Sequence, residues 1–243
     1  MINGEGEISA KHRTPVSTEG RVSVLSKTPD YFCLIKPEVT FLVLIATGLG
    51  CYMASQGVLS LLILFHAVLG TALVAGGTAT LNHYIERDLD GRMRRTSQRP
   101  LPAGRLSPRE VLSFGVALSV AGGLYLACFV NLLTCTIGLL TLLSYLLIYT
   151  PLKRKSSWAT FVGAFPGAAP VLMGWTAVRN SAGLEAWVLY ALLFAWQFPH
   201  FLAIAWMYKE DYSRAGMLML PQQDPEGNRA FLQILGTTDL DSA

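Results

Sequence analysis

The sequence predicts an all-α, polytopic membrane bundle, and three observations carry that prediction. Of the 243 residues, 52% are hydrophobic and 14% are charged, where a soluble domain carries about 25% charged residues. The mean hydropathy is +0.42. The charges are also segregated: six runs, at about 38–54, 59–80, 110–129, 132–150, 159–178 and 187–206, contain no Asp, Glu, Lys or Arg except at their ends. About 20 apolar residues cross the hydrocarbon core as a helix. A continuous apolar run satisfies its backbone in lipid only as a helix, whereas a barrel would show short alternating segments.

The polar stretches between these runs orient the bundle. Lys11, Arg13, Arg21, Lys27 and Lys36 precede span one, and Arg87, Arg92, Arg94, Arg95, Arg99, Arg105 and Arg109 follow span two. Lys153, Arg154 and Lys155 follow span four, and Lys209, Arg214 and Arg229 follow span six. All lie on one side, which holds eighteen of the nineteen Lys and Arg residues; Arg179 alone lies opposite. The positive-inside rule makes that side the cytoplasm, with the N-terminus on it. A bacterial inner membrane is the expected location, with the mitochondrial inner membrane as the alternative. The net charge of +3 is then a topology signal and not a mark of nucleic-acid binding.

Residues 1–35 read as a disordered cytoplasmic arm. Glu5, Glu7 and Glu19 argue against a transit peptide, and the lack of an apolar core argues against a signal peptide. Cys33, Cys51, Cys128 and Cys135 show no metal-ligand spacing.

The informative polar segment runs from Asn82 to Pro100. Asn82, Glu86 and Asp90 stand at i, i+4 and i+8. If span two continues as a helix to Gly91, the three share one face. Hard oxygen ligands of this kind suit Mg²⁺, which takes one or two carboxylates and completes its shell with water and substrate phosphate. Arg94, Arg95 and Arg99 follow at once, and guanidinium forks match phosphate geometry. Metal carboxylates beside arginines form a constellation for a diphosphate. The positive-inside rule accounts for the arginines but not for the acidic face. Further on, Ser107, Pro108 and Glu110 spell a capping box at the start of span three.

A second polar segment, Tyr208 to Gly216, emerges on the same side after span six and carries Lys209, Asp211 and Arg214. Pro199 is expected to bend span six, and His200 lies deeper in the membrane. Span five carries Pro166 and Pro170 among small residues, which suggests a broken helix beside a cavity, with tight helix packing as the alternative.

These residues resemble a known family. Asn82-x3-Glu86-x3-Asp90 followed by Arg95-Thr96-x2-Arg99-Pro100-Leu101-Pro102 is similar to the first aspartate-rich motif of the intramembrane UbiA-type prenyltransferases. Glu at the middle position resembles the protohaem IX farnesyltransferase (haem O synthase) branch. So do Tyr149-Thr150-Pro151-Leu152-Lys153-Arg154, the Gly-Ala-x-Pro-Gly-Ala run of span five, Trp196-Gln197-Phe198-Pro199-His200-Phe201 and Asp211-Tyr212-Ser213-Arg214-Ala215-Gly216.

The resemblance implies a UbiA-like bundle that transfers farnesyl from farnesyl diphosphate to a vinyl group of haem B. It implies Mg²⁺ held by Asn82, Glu86, Asp90 and Asp211, and diphosphate clamped by Arg95, Arg99, Lys153 and Arg154. Lys209 and Asp211 would close the site from the opposite side. Tyr149 would bind substrate, and His200 would contact the haem. Besides the lipid bilayer, a haem A synthase or an oxidase assembly factor would be the partner.

The family usually has nine helices, and six clear spans are legible here. The resemblance therefore implies that 36–235 is an incomplete transmembrane domain, with 236–243 a non-membrane tail and weak activity. Rival readings are a quinone-precursor or chlorophyll-type acceptor, a transporter, and a haem-binding assembly factor without catalysis.

Overall fold

A computed structural model describes residues 27–156 and 158–216. The reading of 1–26 as a disordered arm, and the readings of 217–235 and of the tail 236–243, lie outside those residues. Among the described residues six helices are long and apolar enough to cross a membrane: α2 (Pro37–Ala54), α3 (Leu61–Asp90), α4 (Pro108–Phe129), a composite span from Leu132 to Leu152, α7 (Ala159–Arg179) and α8 (Leu184–Met207). The composite span is α5 (Leu132–Leu143), a π-helical segment (Ser144–Tyr149) and one closing turn, α6 (Thr150–Leu152). Two short helices, α1 (Thr28–Leu34) and α9 (Lys209–Arg214), lie at the polar end. Large apolar side chains such as Phe41, Leu42, Leu62, Leu124 and Leu192 point outward, as a lipid-facing surface requires.

Helix α1 corrects the expectation that disorder extends to residue 35. Leu34 is fully buried against Leu101, Leu106 and Val111, with Tyr31 and Phe114 packed beside them. Lys27 Nζ donates to Glu110 Oε1 at 2.7 Å, and Arg105 Nε donates to Asp30 Oδ1 at 2.7 Å. The sequence hides this contact because its apolar partners lie some 70 residues further along the chain.

Helix α3 is 30 residues long and runs well past its apolar stretch, so it carries Asn82, Glu86 and Asp90 on its final turns. The Ser107–Glu110 capping box forms at the start of α4 as the spacing predicts. The interface between α3 and α4 is built on small residues. A Cβ at Gly77 would crowd Ser119, and one at Gly122 would crowd Val74.

Helix α7 is the most deeply buried of the six. Despite Pro166 and Pro170 it is one continuous helix, so tight packing holds and the broken-helix reading does not. Gln197 Nε2 donates to Ala164 O at 3.1 Å and Tyr190 OH to Phe165 O at 3.1 Å, so α8 supplies donors to the carbonyls of the proline-containing stretch. Helix α8 likewise continues through Pro199 to Met207.

The crossing of α2 and α7 is a backbone contact. A Cβ on Gly50 would overlap the carbonyl of Val171, and one on Gly174 would overlap the carbonyl of Thr47. Only glycine permits this approach from both sides. Gly174→Ala is therefore expected to lower stability by about 1–3 kcal/mol, seen as a lower unfolding temperature in detergent. Gly48→Ala is the control, because its methyl would meet only the tip of Leu64 at 3.9 Å. Equal unfolding temperatures for the two variants would show that α2 and α7 do not meet at Gly174.

Candidate active site

The last turns of α3 face a cleft of about 190 Å³ at the polar end of the bundle, lined by Asn82, Glu86 and Asp90 and by Lys36, Arg95, Arg99, Tyr149, Lys153 and Tyr212. The i, i+4, i+8 spacing does place three oxygen-bearing side chains on one face. They are 0%, 5% and 1% exposed respectively, so each oxygen needs a partner.

Each has a cationic one. Lys36 Nζ donates to Asn82 Oδ1 at 2.7 Å. Lys153 Nζ donates to Glu86 Oε1 at 2.8 Å. Arg99 Nη1 donates to both oxygens of Asp90 at 2.7 Å. Asn82 Nδ2 completes its bonding by donating to Thr150 Oγ1 at 3.4 Å.

The cations come from three different places. Lys36 precedes α2 in a left-handed conformation (φ 48°), directly before Pro37. Burial, with Arg99 nearby, lowers its ammonium to about 7, against the pull of Glu86. Lys153 follows α6. Burial opposes its charge, but the Tyr149 ring and the Glu86 carboxylate hold it well above the ordinary lysine value. Its Nζ lies 4.5 Å from the Tyr149 ring centre and 5.9 Å from that of Tyr145. Arg99 belongs to the loop after α3, where Thr96 Oγ1 donates to Asp90 O at 2.8 Å and buried Met93 and Leu101 anchor the chain.

Counting lining side chains, four cationic groups (Lys36, Arg95, Arg99, Lys153) surround two carboxylates (Glu86, Asp90). The surplus is positive, which is the electrostatic demand of a diphosphate.

Several expected site residues do not join the cleft lining. Asp211 is buried and accepts from Arg94 N at 3.3 Å, from Arg95 N at 3.4 Å and from Arg214 Nη2 at 2.6 Å. It clamps the arginine loop to α9, with one long amide contact on each carboxylate oxygen. Lys209 is exposed, with Nζ 4.4 Å from the Trp206 ring centre. Arg154 is exposed beyond the rim. His200 is exposed on α8 and stacks on Trp196 at 4.9 Å. Arg95 lines the cleft and lies 4.8 Å from the Tyr208 ring centre.

Sequence reasoning missed Lys36, Tyr145 and Tyr212 as site residues. Lys36 was hidden because a basic residue at a span end is what topology alone requires. The signal that could have marked it is its position directly before Pro37, where the chain is fixed.

Among the described residues no three His, Cys, Asp or Glu side chains gather into a metal cluster. Asn82, Glu86 and Asp90 nevertheless fit Mg²⁺ in combination with a phosphate. Their donors are hard oxygens opening on one cleft. Their present partners are side-chain cations that an arriving anion could draw away.

The fold is that of an intramembrane helical bundle with a charged cleft at one end, and the chain belongs to the UbiA prenyltransferase family, whose model matches residues 43–238. Among its curated relatives are two named protoheme IX farnesyltransferase. That of Solibacter usitatus (strain Ellin6076) is 50% identical over 215 residues, covering 85% of this chain and 74% of the relative. That of Koribacter versatilis (strain Ellin345) is 44% identical, covering 88% and 70%. Among solved structures, a UbiA homolog from Archaeoglobus fulgidus bound to GPP and Mg²⁺ matches with a TM-score of 0.67 at 18% identity, covering 86% of this chain and 73% of that one. That likeness speaks to the fold alone.

Asp211→Ala removes the clamp on Arg94 and Arg95 and leaves the three cleft oxygens in place. Amide exchange at Arg94 and Arg95 is expected to accelerate, and inorganic diphosphate should bind several-fold more weakly. Weaker diphosphate binding with unchanged exchange at those amides would instead make Asp211 a direct ligand.

Proposed function

We propose that this chain transfers a farnesyl group from farnesyl diphosphate to a vinyl group of haem B, giving haem O, in a bacterial inner membrane with the cleft on the cytoplasmic side. The carrying observation is the match of each cleft oxygen with a cation from another element, in a site with surplus positive charge. The names of the curated relatives support farnesyl and haem as the substrate pair. A haem A synthase or an oxidase assembly factor is the class of partner that would receive the product.

The chemistry asks the protein to break an allylic carbon–oxygen bond. The electron pair leaves with the diphosphate, and the vinyl π electrons form the new carbon–carbon bond. Water adds to the positive carbon left beside the macrocycle and releases a proton, which leaves the hydroxyl of haem O. Asn82, Glu86 and Asp90 would hold Mg²⁺, which when bound neutralises charge on the leaving diphosphate.

Arg95, Arg99 and Lys153 would bind and orient phosphate oxygens; the two arginines offer planar forks and Lys153 a point charge. Lys36, at the edge of the cleft, gains a stronger reason to be charged once an anion is beside it. Tyr149, whose ring already faces an ammonium, presents the same π face to an allylic cation. The apolar spans would house the isoprenoid and keep water from the cation. The Trp196–His200 stack faces outward from α8 and offers a flat aromatic surface for a macrocycle arriving through the bilayer.

A quinone-precursor or chlorophyll-type acceptor, a transporter and a non-catalytic haem carrier would each fail one measurement. Membranes containing this chain are to be incubated with haem B, farnesyl diphosphate and Mg²⁺, and the haem extract weighed by mass spectrometry. Haem O is expected, with no product from Asp90→Ala or Glu86→Ala. Unchanged haem B beside a farnesylated ring of another class would overturn the acceptor. Arg99→Lys is expected to raise the KM for farnesyl diphosphate by about tenfold, the equivalent of losing one charge-assisted hydrogen bond of roughly 1.5 kcal/mol. For sidedness, a cysteine placed at Asn180 should react with an external thiol reagent before one placed at Ser97. The reverse order would invert the topology.

A further inference from the structure

One buried polar side chain beside the cleft has no hydrogen-bond partner among the described residues. His83 is 1% exposed, and neither ring nitrogen makes a hydrogen bond among the described residues. It does not line the cleft. His83 lies two turns before Asp90 on the same helix and shares its face. Its Nδ1 stands 4.0 Å from Asp90 Oδ2, about 1 Å beyond hydrogen-bond reach.

Asp90 explains the vacancy. Arg99 is the donor to its carboxylate, and one guanidinium nitrogen serves both oxygens. The proposed function requires Arg99 to turn towards a phosphate. Asp90, itself 1% exposed, would then lose both hydrogen bonds with little access to water. An oxygen turned to the cleft for the metal would leave the other buried oxygen without a donor, which buried carboxylates rarely tolerate. The next group within range is His83 Nδ1.

We propose that His83 is a positioning residue that takes over Asp90 when Arg99 leaves it. A small rotation of the carboxylate closes the gap, and Nδ1–H donates to Oδ2. Asp90 Oδ1 is left pointing at the cleft with a fixed orientation. The orphaned ring is thus the second seat of a two-position carboxylate, vacant while Arg99 holds the first. Metal-binding carboxylates held by such partners lose about 10–100-fold in metal affinity when the partner is removed. The inference rests on the reading of Asp90 as a diphosphate–metal residue, and the test separates the two.

The experiment uses the full chain in nanodiscs, with Mn²⁺ as the spectroscopic probe and inorganic diphosphate as the anion. Binding is followed by electron paramagnetic resonance for the parent, His83→Asn, His83→Gln and Asp90→Asn. The Asn amide nitrogen lies near the position of Nδ1, whereas that of Gln lies near Nε2. His83→Asn is expected to bind Mn²⁺ in the presence of diphosphate within about threefold of the parent, and His83→Gln about 10–100-fold more weakly. Without diphosphate, when Arg99 still holds Asp90, the two variants should not differ. Equal affinities for Asn and Gln, whether both parental or both weak, would overturn the positioning role and leave the site reading intact if Asp90→Asn binds poorly. Parental binding by Asp90→Asn would overturn the site reading and this inference together.

Discussion

The polar end of this protein depends on one arrangement: three buried oxygen-bearing side chains on a single helix, each accepting a hydrogen bond from a cationic side chain elsewhere. Glu86 and Asp90 cannot be buried alone, because an unpaired buried charge costs several kcal/mol, and the Asn82 amide oxygen also needs a donor. Lys36, Lys153 and Arg99 solve that problem and in doing so tie the start of α2, the turn after α6 and the loop after α3 to the end of α3. In the proposed function, the contacts that hold the fold together at this end are the same ones a substrate would loosen. A diphosphate with its metal would supply the opposite half of every pair, so charges are exchanged and none is left bare. Buried ion pairs are poor sources of net stability; here they hold the charged elements of the cleft together.

The supporting structure is arranged so that this exchange stays local. Asp211 takes the amides of Arg94 and Arg95, which would keep the loop in place if Arg99 turned to a phosphate. Backbone-to-backbone contact between α2 and α7 fixes the interior of the bundle independently of the charged end. Short contacts between helices suit a lipid environment, where burial of apolar area supplies no drive for association.

Much of this was legible in the sequence. The six spans follow from apolar length, and the acidic face follows from helical periodicity, because both are properties of one contiguous segment. The Ser107–Glu110 cap is legible for the same reason. What could not be read depends on contacts between distant segments. Lys36 looked like a topology determinant until α2 placed it against Asn82. Asp211 carried the right chemistry for a metal, but its contacts with amides of a loop more than a hundred residues earlier could not be read from its motif. His200 and Arg154 matched motifs and yet sit outside the cleft. Residue type announces what a side chain could do, and only packing decides what it faces.

The π-helical turn at Ser144–Tyr149 has a consequence for how this surface can change over evolutionary time. A single π turn accommodates one residue more than the α-helical ladder would, and each residue advances an α-helix by about 100°. Upstream of it α5 presents Leu142 and Cys135 to the bundle interior; Tyr149, its last residue, and Lys153 beyond it are aimed at the cleft. The two halves of this span are therefore out of phase with one another. Inserting or deleting one residue in this span would turn Lys153 by about 100° relative to α5 and away from Glu86, so its length is constrained. The turn sets the angle between the part of the helix that packs in the bundle and the part that lines the cleft.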